Sequence, residues 1–363
     1  QQLRQSEAIY QKLLALRDSP EWDSFEGAQQ RIIKRMIQNA ELSGIGLQSP
    51  DRERFNAIEQ ELSQLSTDFS HHLLDATRAY HLDLTDPADA EGFPASLRRM
   101  TAASWTRAEE NKDKPPATAE SGPWRITLDA PCFGPFMEHC RSREWRETLY
   151  LAYISRASSG DQDNGPLILQ ILKLKKEHAT LLGFQCYADL SLSQKMADDV
   201  AAVQQMFDRM LEASHEVAKR ELEEITELAQ QSGHDGPLQH WDVSFWAERL
   251  REQRFSFTDE QLRPYFSLDR VLNGLFALCH RLFGITVKSA DGKAPIWNPD
   301  VRYYEIFDES QRQIAGFYLD PYSRPQNKRG GAWMADCIAR SVTATETRLP
   351  VAHLVCNSTP PTD

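Results

Sequence analysis

A chain of 363 residues is long for one compact domain, and 40% hydrophobic with 26% charged residues is the composition of a folded protein with ample core material. The formal charge of −12 excludes a broad phosphate-neutralising surface, because nucleic-acid binders cluster Lys and Arg. No apolar run approaches the roughly 18 to 20 residues that span a bilayer, so neither nucleic acid nor a membrane is an expected partner.

The first 80 or so residues read as helices. Ala28, Ile32, Ile33, Met36, Ile37 and Ala40 form one stripe that Gly44 ends, and after Ser49-Pro50 a longer stripe runs through Phe55, Ile58, Leu62, Leu65, Phe69, Leu73 and Ala76. Between Thr85 and Gly122 the pattern gives way to turn chemistry, with Asp86-Pro87, Gly92 to Pro94 and Asn111 to Pro116. Trp124, Ile126 and Leu128 alternate as a short strand would.

Helical periodicity then dominates to about Phe283. Its clearest stretch follows Asp198-Asp199, with Val200, Val203, Phe207, Met210, Leu211, Val217, Leu222, Ile225 and Leu228 on one face and Gly233 beyond its end. Such a stripe predicts helices that pack on one another. From Trp297 the period shortens: Val301 to Phe307 and Ile314 to Leu319 flank the turn-like Asp308 to Ser310 as a β-hairpin, and Ala332 to Cys337 and Pro350 to Cys356 each suggest a further strand. The expected fold is mainly α with a small late β-sheet, an α+β arrangement, with an N-terminal helical domain over 1–135 and a second domain over 136–363.

No short motif carries chemistry by itself. His215-Glu216-Val217-Ala218-Lys219 imitates the zinc-binding HExxH pattern, but Lys219 stands where the second histidine belongs and a protonated ammonium does not ligate zinc. His71 and His72 are adjacent, so on a helix they point about 100° apart. His139, His178, His240, His280 and His353 are far apart in sequence. Cys132, Cys140, Cys186, Cys279, Cys337 and Cys356 include no CxxC pair, which points to free, mostly buried thiols in a reducing compartment. There is no Walker loop, no GxGxxG after a strand and no GxSxG elbow.

Longer segments are more specific. LLGFQCYADLSLSQKMA (Leu181 to Ala197), WDVSFWAERLRE (Trp241 to Glu252), LRPYFSLDRVLNGLF (Leu262 to Phe276), GFYLDPYSRPQNKRGGAWMADC from Gly316 and LPVAHLVCNSTPP near the end together resemble the M3 (thimet oligopeptidase-like) metallopeptidases. The likeness leans to the oligopeptidase A branch, on its cyanobacterial and plant organellar side. It implies a two-lobed helical shell around a channel that admits short unstructured peptides, a monomer, and a soluble intracellular location: cytoplasm in bacteria, plastid or mitochondrial matrix in eukaryotes. It also implies one zinc ion held by an HExxH helix that follows the last of these segments in the family, so the ligands are expected beyond Asp363 and the present chain is expected to lack catalytic and metal residues.

In sites of this type a sheet precedes the metal helix, and a peptide binds along an exposed strand through backbone hydrogen bonds. Gly330-Gly331 permits close backbone approach and Ala332 is small, which makes Gly331 to Met334 the expected substrate-facing strand. Gly330, Gly331, Ala332, Trp333 and Met334 are the candidate substrate-binding residues. The competing expectation is a tight turn into a buried strand. Two other functions fit the same segments: a catalytically dead peptide-binding scaffold, and a peptidyl-dipeptidase.

Overall fold

The computed structural model describes residues 5–324, 327–328, 331–343 and 345–361. Helices α1 (Glu7–Arg17), α2 (Gly27–Leu42) and α3 (Asp51–Ala79) are followed by strand β1 (Leu82–Leu84), α4 (Ala95–Arg107), β2 (Trp124–Ile126), α5 (Ala130–His139) and α6 (Arg143–Ile154). Next come α7 (Gly165–Leu181), α8 (Tyr187–Leu192), α9 (Val200–Gln231), α10 (His240–Phe255), α11 (Asp259–Leu262) and α12 (Leu268–Phe283). The late strands are β3 (Thr286–Ser289), β4 (Arg302–Phe307), β5 (Gln313–Tyr322), β6 (Trp333–Ile338), β7 (Ser341–Val342), β8 (Thr347–Arg348) and β9 (Val351–Ser358). The mainly helical chain with a late sheet is therefore as the periodicity predicts.

The chain divides into two compact units, Gln1–Leu73 with Ala157–Ala218, and Leu74–Arg156 with Lys219–Asp363. In the first, α2 buries Ile33, Ile37 and Ala40, and α3 buries Phe55 and Ile58. Arg54 on α3 grips Glu177 on α7 through two hydrogen bonds of 2.6 and 2.7 Å. Gln38 and Arg35 on α2 donate to the carbonyls of Ser193 and Gln194 just past α8, at 2.9 and 2.7 Å.

In the second unit, β1 and β2 pair antiparallel with Asp83 directly opposite Arg125. Arg125 donates to both oxygens of Asp83, at 2.7 and 2.6 Å, and to Glu110 at 2.6 Å. The ribbon contributes Leu84, Trp124 and Ile126 to a core shared with Leu97 of α4, Phe136 of α5 and Leu149 of α6. Asp242, in the first turn of α10, is fully buried and accepts from Arg143 and Arg146 of α6 and from the Gln239 N–H. Burial pushes the Asp242 carboxyl up, but those donors outweigh it and hold it below the ordinary carboxylate range. Burial also pulls the Arg146 guanidinium down, and Asp242 offsets this only in part.

The late sheet has the order β3-β4-β5-β9-β6. The expected hairpin is β4–β5, and both further strands form, each beginning one residue later than expected. Two features were not anticipated: β3 precedes the hairpin, and β9 runs parallel to β5 while β6 pairs antiparallel with β9. Helix α12 covers one face, packing Leu268, Leu272 and Phe276 against Tyr304, Phe317 and Leu319. Gly284, at φ +67°, ends α12 in a left-handed conformation that suits glycine.

The stripe on α9 behaves differently from the sequence expectation. Of its residues Ile225 is buried, whereas Phe207, Met210 and Leu211 are all more than half exposed. Periodicity correctly gives the helix but not a covering partner, because it reports only that one face is apolar.

Replacing Asp242 by Ala leaves buried Arg146 without its carboxylate, so urea denaturation should show a loss of about 3–5 kcal/mol. Because the folded-state pKa of Asp242 is depressed, its contribution is complete above the unfolded value near 4 and is lost as pH falls through the folded value. The wild-type midpoint should therefore fall below about pH 4 more steeply than that of Asp242→Ala.

Candidate functional site: an open sheet edge

Strand β6 is the last strand of the five-stranded sheet, so its outward N–H and C=O groups have no strand partner among the described residues. Every residue of β6 is exposed; Trp333 is 48% and Met334 78% accessible. In this structure a six-residue apolar-rich segment therefore lies open. Gly331 and Ala332 are exposed residues leading into the strand, with Trp333 and Met334 its first two positions. Gly330 lies outside the described residues. A Cβ at Gly331 would meet nothing within 4 Å, but φ is +113°. Backbone conformation, and not crowding inside this chain, is what calls for glycine there.

Side chains of one parity share a sheet face. Tyr303 stands opposite Tyr318, Tyr318 opposite His353, and His353 opposite Ala335, with Trp333 two residues along β6. These rings touch. Tyr318 stacks on His353 at 5.6 Å between centroids, Tyr303 lies 4.9 Å from Tyr318, and Trp333 meets His353 edge-on at 6.2 Å. Trp297, from the segment before β4, covers Tyr318 and His353 at 5.2 and 5.5 Å. The aromatic face opposite α12 thus continues to the edge strand, while Met334 belongs to the other parity.

A polar cluster stands at the end of β5. Asp320 is buried and accepts two hydrogen bonds of 2.7 Å from Arg324, one of 3.1 Å from Lys328 and one of 3.2 Å from the Trp297 indole. Burial raises the Asp320 pKa, and these donors more than reverse it, leaving the carboxyl below its ordinary range. Lys328 also donates to the carbonyls of Asp320, Tyr322 and Cys356, at 3.2, 2.7 and 2.6 Å. The β5–β9 register shifts between Asp320 and Tyr322, where Pro321 has no N–H to offer. Carbonyls that a regular ladder would satisfy are collected there by one ammonium.

Sequence reasoning missed Asp320, Lys328, Trp297 and His353 as members of one arrangement. Tyr318 and Trp333 were legible as aromatic residues in strands. Lys328 sits in a turn-like NKRGG segment, and nothing local announces that its partner carbonyls lie on two parallel strands.

For a metal, one group among the described residues brings three ligand-type atoms within 4.8 Å of one another: His139, Glu248 and Glu252. Arg251 grips both oxygens of Glu248 at 2.7 and 2.6 Å, and Arg249 grips those of Glu252 at 2.9 and 3.2 Å. Arg249 also donates to His139 Nδ1 at 3.1 Å, and burial together with that guanidinium holds the imidazole pKa below its ordinary value. Two guanidinium cations already neutralise the two carboxylates and one of them lies against His139, so a zinc ion would face like charge there, and the group is an ion-pair cluster that does not fit zinc. His215 is exposed on α9 with Lys219 one turn on, as the sequence placed them.

Comparison with known proteins gives two family matches, Peptidase family M3 over residues 136–363 and Neurolysin/Thimet oligopeptidase, N-terminal domain, over residues 1–52. The chain is 47% identical to organellar oligopeptidase A, chloroplastic/mitochondrial, of Arabidopsis thaliana, across 99% of this chain and 46% of that protein. It is 36% identical to oligopeptidase A of Escherichia coli, across 97% of this chain and 51% of that one. It is 32% identical to dipeptidyl carboxypeptidase of Escherichia coli, across 90% and 46% respectively. The chain spans about half the length of the curated relatives it matches.

Replacing Lys328 by Met removes the donor to three carbonyls while keeping much of the side-chain volume. Stability should fall by about 2–4 kcal/mol. Hydrogen exchange should accelerate in β6 and at the end of β9, and amides of the α4–α6 core should keep their protection. Equal acceleration throughout the second unit would remove Lys328 from its local role.

Proposed function

Since the chain belongs to peptidase family M3, we propose that the protein containing it is a zinc-dependent metallo-oligopeptidase that cleaves short unstructured peptides within a channel, in intracellular peptide turnover. On this reading residues 1–135 are an N-terminal helical domain and residues 136–363 are the first part of the catalytic domain. One zinc ion per molecule is held by an HExxH helix C-terminal to Asp363, the present chain alone is inactive, and the working protein is a monomer in the cytoplasm, plastid or mitochondrial matrix. The family match over residues 136–363 carries the reading.

The open edge of β6 agrees with it. A peptide laid beside Trp333–Ile338 exchanges backbone hydrogen bonds with a strand about 20 Å long, at about 3.3 Å per residue. Such pairing orients the scissile region without reading much of its sequence, which suits an enzyme of broad peptide turnover. Met334 and Trp333 then supply apolar contact on opposite faces of the bound strand. Zinc, when bound, supplies Lewis acidity and a water whose pKa is lowered towards about 7. This chain's part is to align the peptide and hold it extended.

Of the alternatives, a peptidyl-dipeptidase is favoured by the likeness to dipeptidyl carboxypeptidase. A blocked, internally quenched nonapeptide incubated with the longer protein separates them by product mass. Internal cuts abolished by a chelator are expected; release of C-terminal dipeptides alone would favour the peptidyl-dipeptidase, and intact peptide would favour the scaffold. Elemental analysis of the present chain after dialysis should find no stoichiometric zinc. One firmly held ion would move the metal onto residues of this chain.

Met334→Ala tests the edge. With so little of its side chain packed, it should change stability by less than about 0.5 kcal/mol. In the longer protein it should weaken peptide binding by about fivefold, the order of one lost apolar contact. Unchanged KM and kcat would take β6 out of the substrate path.

A further inference from the structure

Helices α5 and α10 of the second unit meet through buried charge. His139, the last residue of α5, is 9% exposed, and Arg249 of α10 stands 3.1 Å from its Nδ1. A guanidinium has no acceptor to offer, so Nδ1 accepts, the ring proton is on Nε2, and the imidazole of this arrangement is neutral. The protonation state is thus fixed by the partner.

The surrounding charges are already matched. Arg249 is held in place by both oxygens of Glu252 and by the Phe245 ring, 4.9 Å away. Arg251 grips Glu248 and reaches Asp259 of α11 at 2.7 Å. Glu260 of α11 lies 3.1 Å from Arg263 and accepts from the Ser96 hydroxyl. Glu138, next to His139 on α5, is the exception: it forms no hydrogen bond among the described residues, and its Oε2 lies 4.0 Å from His139 Nε2.

We propose that His139 is a proton-operated latch on the α5–α10 junction: neutral, it accepts from Arg249 and holds the two helices together; protonated, it releases Arg249 and turns to Glu138. A proton on Nδ1 converts the acceptor into a donor that faces a cation about 3 Å away, so a bond between the helices becomes a repulsion. Burial and Arg249 hold the His139 pKa below its ordinary value, against the pull of Glu248, Glu252 and Asp259. Burial, Glu248 and Asp259 hold Glu138 above its own, against Arg251 and Arg249. The two values are drawn toward each other, so the neighbours titrate as one coupled pair.

The direction follows from these shifts. With a depressed folded-state pKa, the contribution of His139 is complete above the unfolded value near about 6.5 and is lost as pH falls through the folded value. Glu138 has the opposite sign: its contribution is present below the unfolded value near about 4.3 and is lost as pH rises through its folded value. The junction therefore opens on the acid side of neutrality, before the pH near 4 at which Asp242 begins to lose its charge. The latch lies wholly in the second unit and does not rest on the peptidase reading.

The test is hydrogen exchange of the present chain at pH 7.5 and pH 5.0, corrected for the intrinsic pH dependence of exchange, beside nitrogen NMR of the His139 ring. At pH 7.5 the ring should show the Nε2–H tautomer. At pH 5.0 it should be protonated, and amides at the end of α5 and in the second half of α10 should lose protection by about tenfold, the order of one charge-assisted hydrogen bond, while the β1–β2 ribbon keeps its own. His139→Asn, whose side-chain oxygen stands where Nδ1 does and does not titrate, should remove the pH dependence. Glu138→Gln, which cannot receive the imidazolium as a charge, should shift the opening to lower pH. A proton on Nδ1 at pH 7.5, a ring that titrates without any change in exchange, or an equal acid response in wild type and His139→Asn would each overturn the proposal. Should His139→Asn fail to fold, the ring titration and the wild-type exchange decide it.

Discussion

The late sheet depends on a single ammonium group. Lys328 stands between the ends of β5 and β9, bonded to a carboxylate and to three backbone carbonyls. The parallel β5–β9 pair leaves its regular ladder at Pro321, and the Lys328 side chain donates to the carbonyls of Tyr322 and Cys356 beside the irregularity. Two cations, Arg324 and Lys328, share Asp320, and they outweigh the upward push of burial on its carboxyl. The same carboxylate orients Trp297, whose ring lies over Tyr318 and His353. One polar knot therefore joins the ends of β5 and β9 to the indole that lies over the aromatic face.

That arrangement explains how an exposed apolar edge persists. An unprotected strand edge invites pairing with any extended chain, and most proteins blunt theirs with charge, proline or bulges. Here β6 carries Trp333, Met334 and Ile338 in the open, with Asp336 as its one acidic side chain. The register shift between Asp336 and Ile338 bends the far end of the strand, so the regular stretch is confined to Trp333 to Asp336. The open edge is therefore short and backed along its regular stretch by β9.

How far the sequence reveals this depends on the range of each interaction. Helices and strands follow from periodicity, which is local: the 3.6-residue stripes give α2, α3 and α9, and the alternation at 301–319 gives the β4–β5 hairpin. The order β5-β9-β6 is not local. Parallel β9 returns to β5 from more than thirty residues away, and no residue pattern in either strand names its neighbour. Resemblance to a family supplied the candidate edge strand at Gly331 to Met334. It did not supply the reason for glycine at Gly331, which the positive φ provides, or the function of Lys328, which only the pairing of two distant strands creates.

The exposed stripe of α9 and the buried His178 mark the opposite limits of pattern reading. On α9 the apolar residues are conspicuous in sequence, yet Phe207, Met210 and Leu211 remain accessible, so a hydrophobic period predicts a helix more securely than it predicts a core. His178 is inconspicuous in sequence, one histidine near the end of an amphipathic helix. Its significance comes from α3 placing Phe55 under the ring and Glu59 beside it, one helical turn apart. A residue's chemistry is written in its own letter, but whether that chemistry is spent or available depends on which helix face it meets.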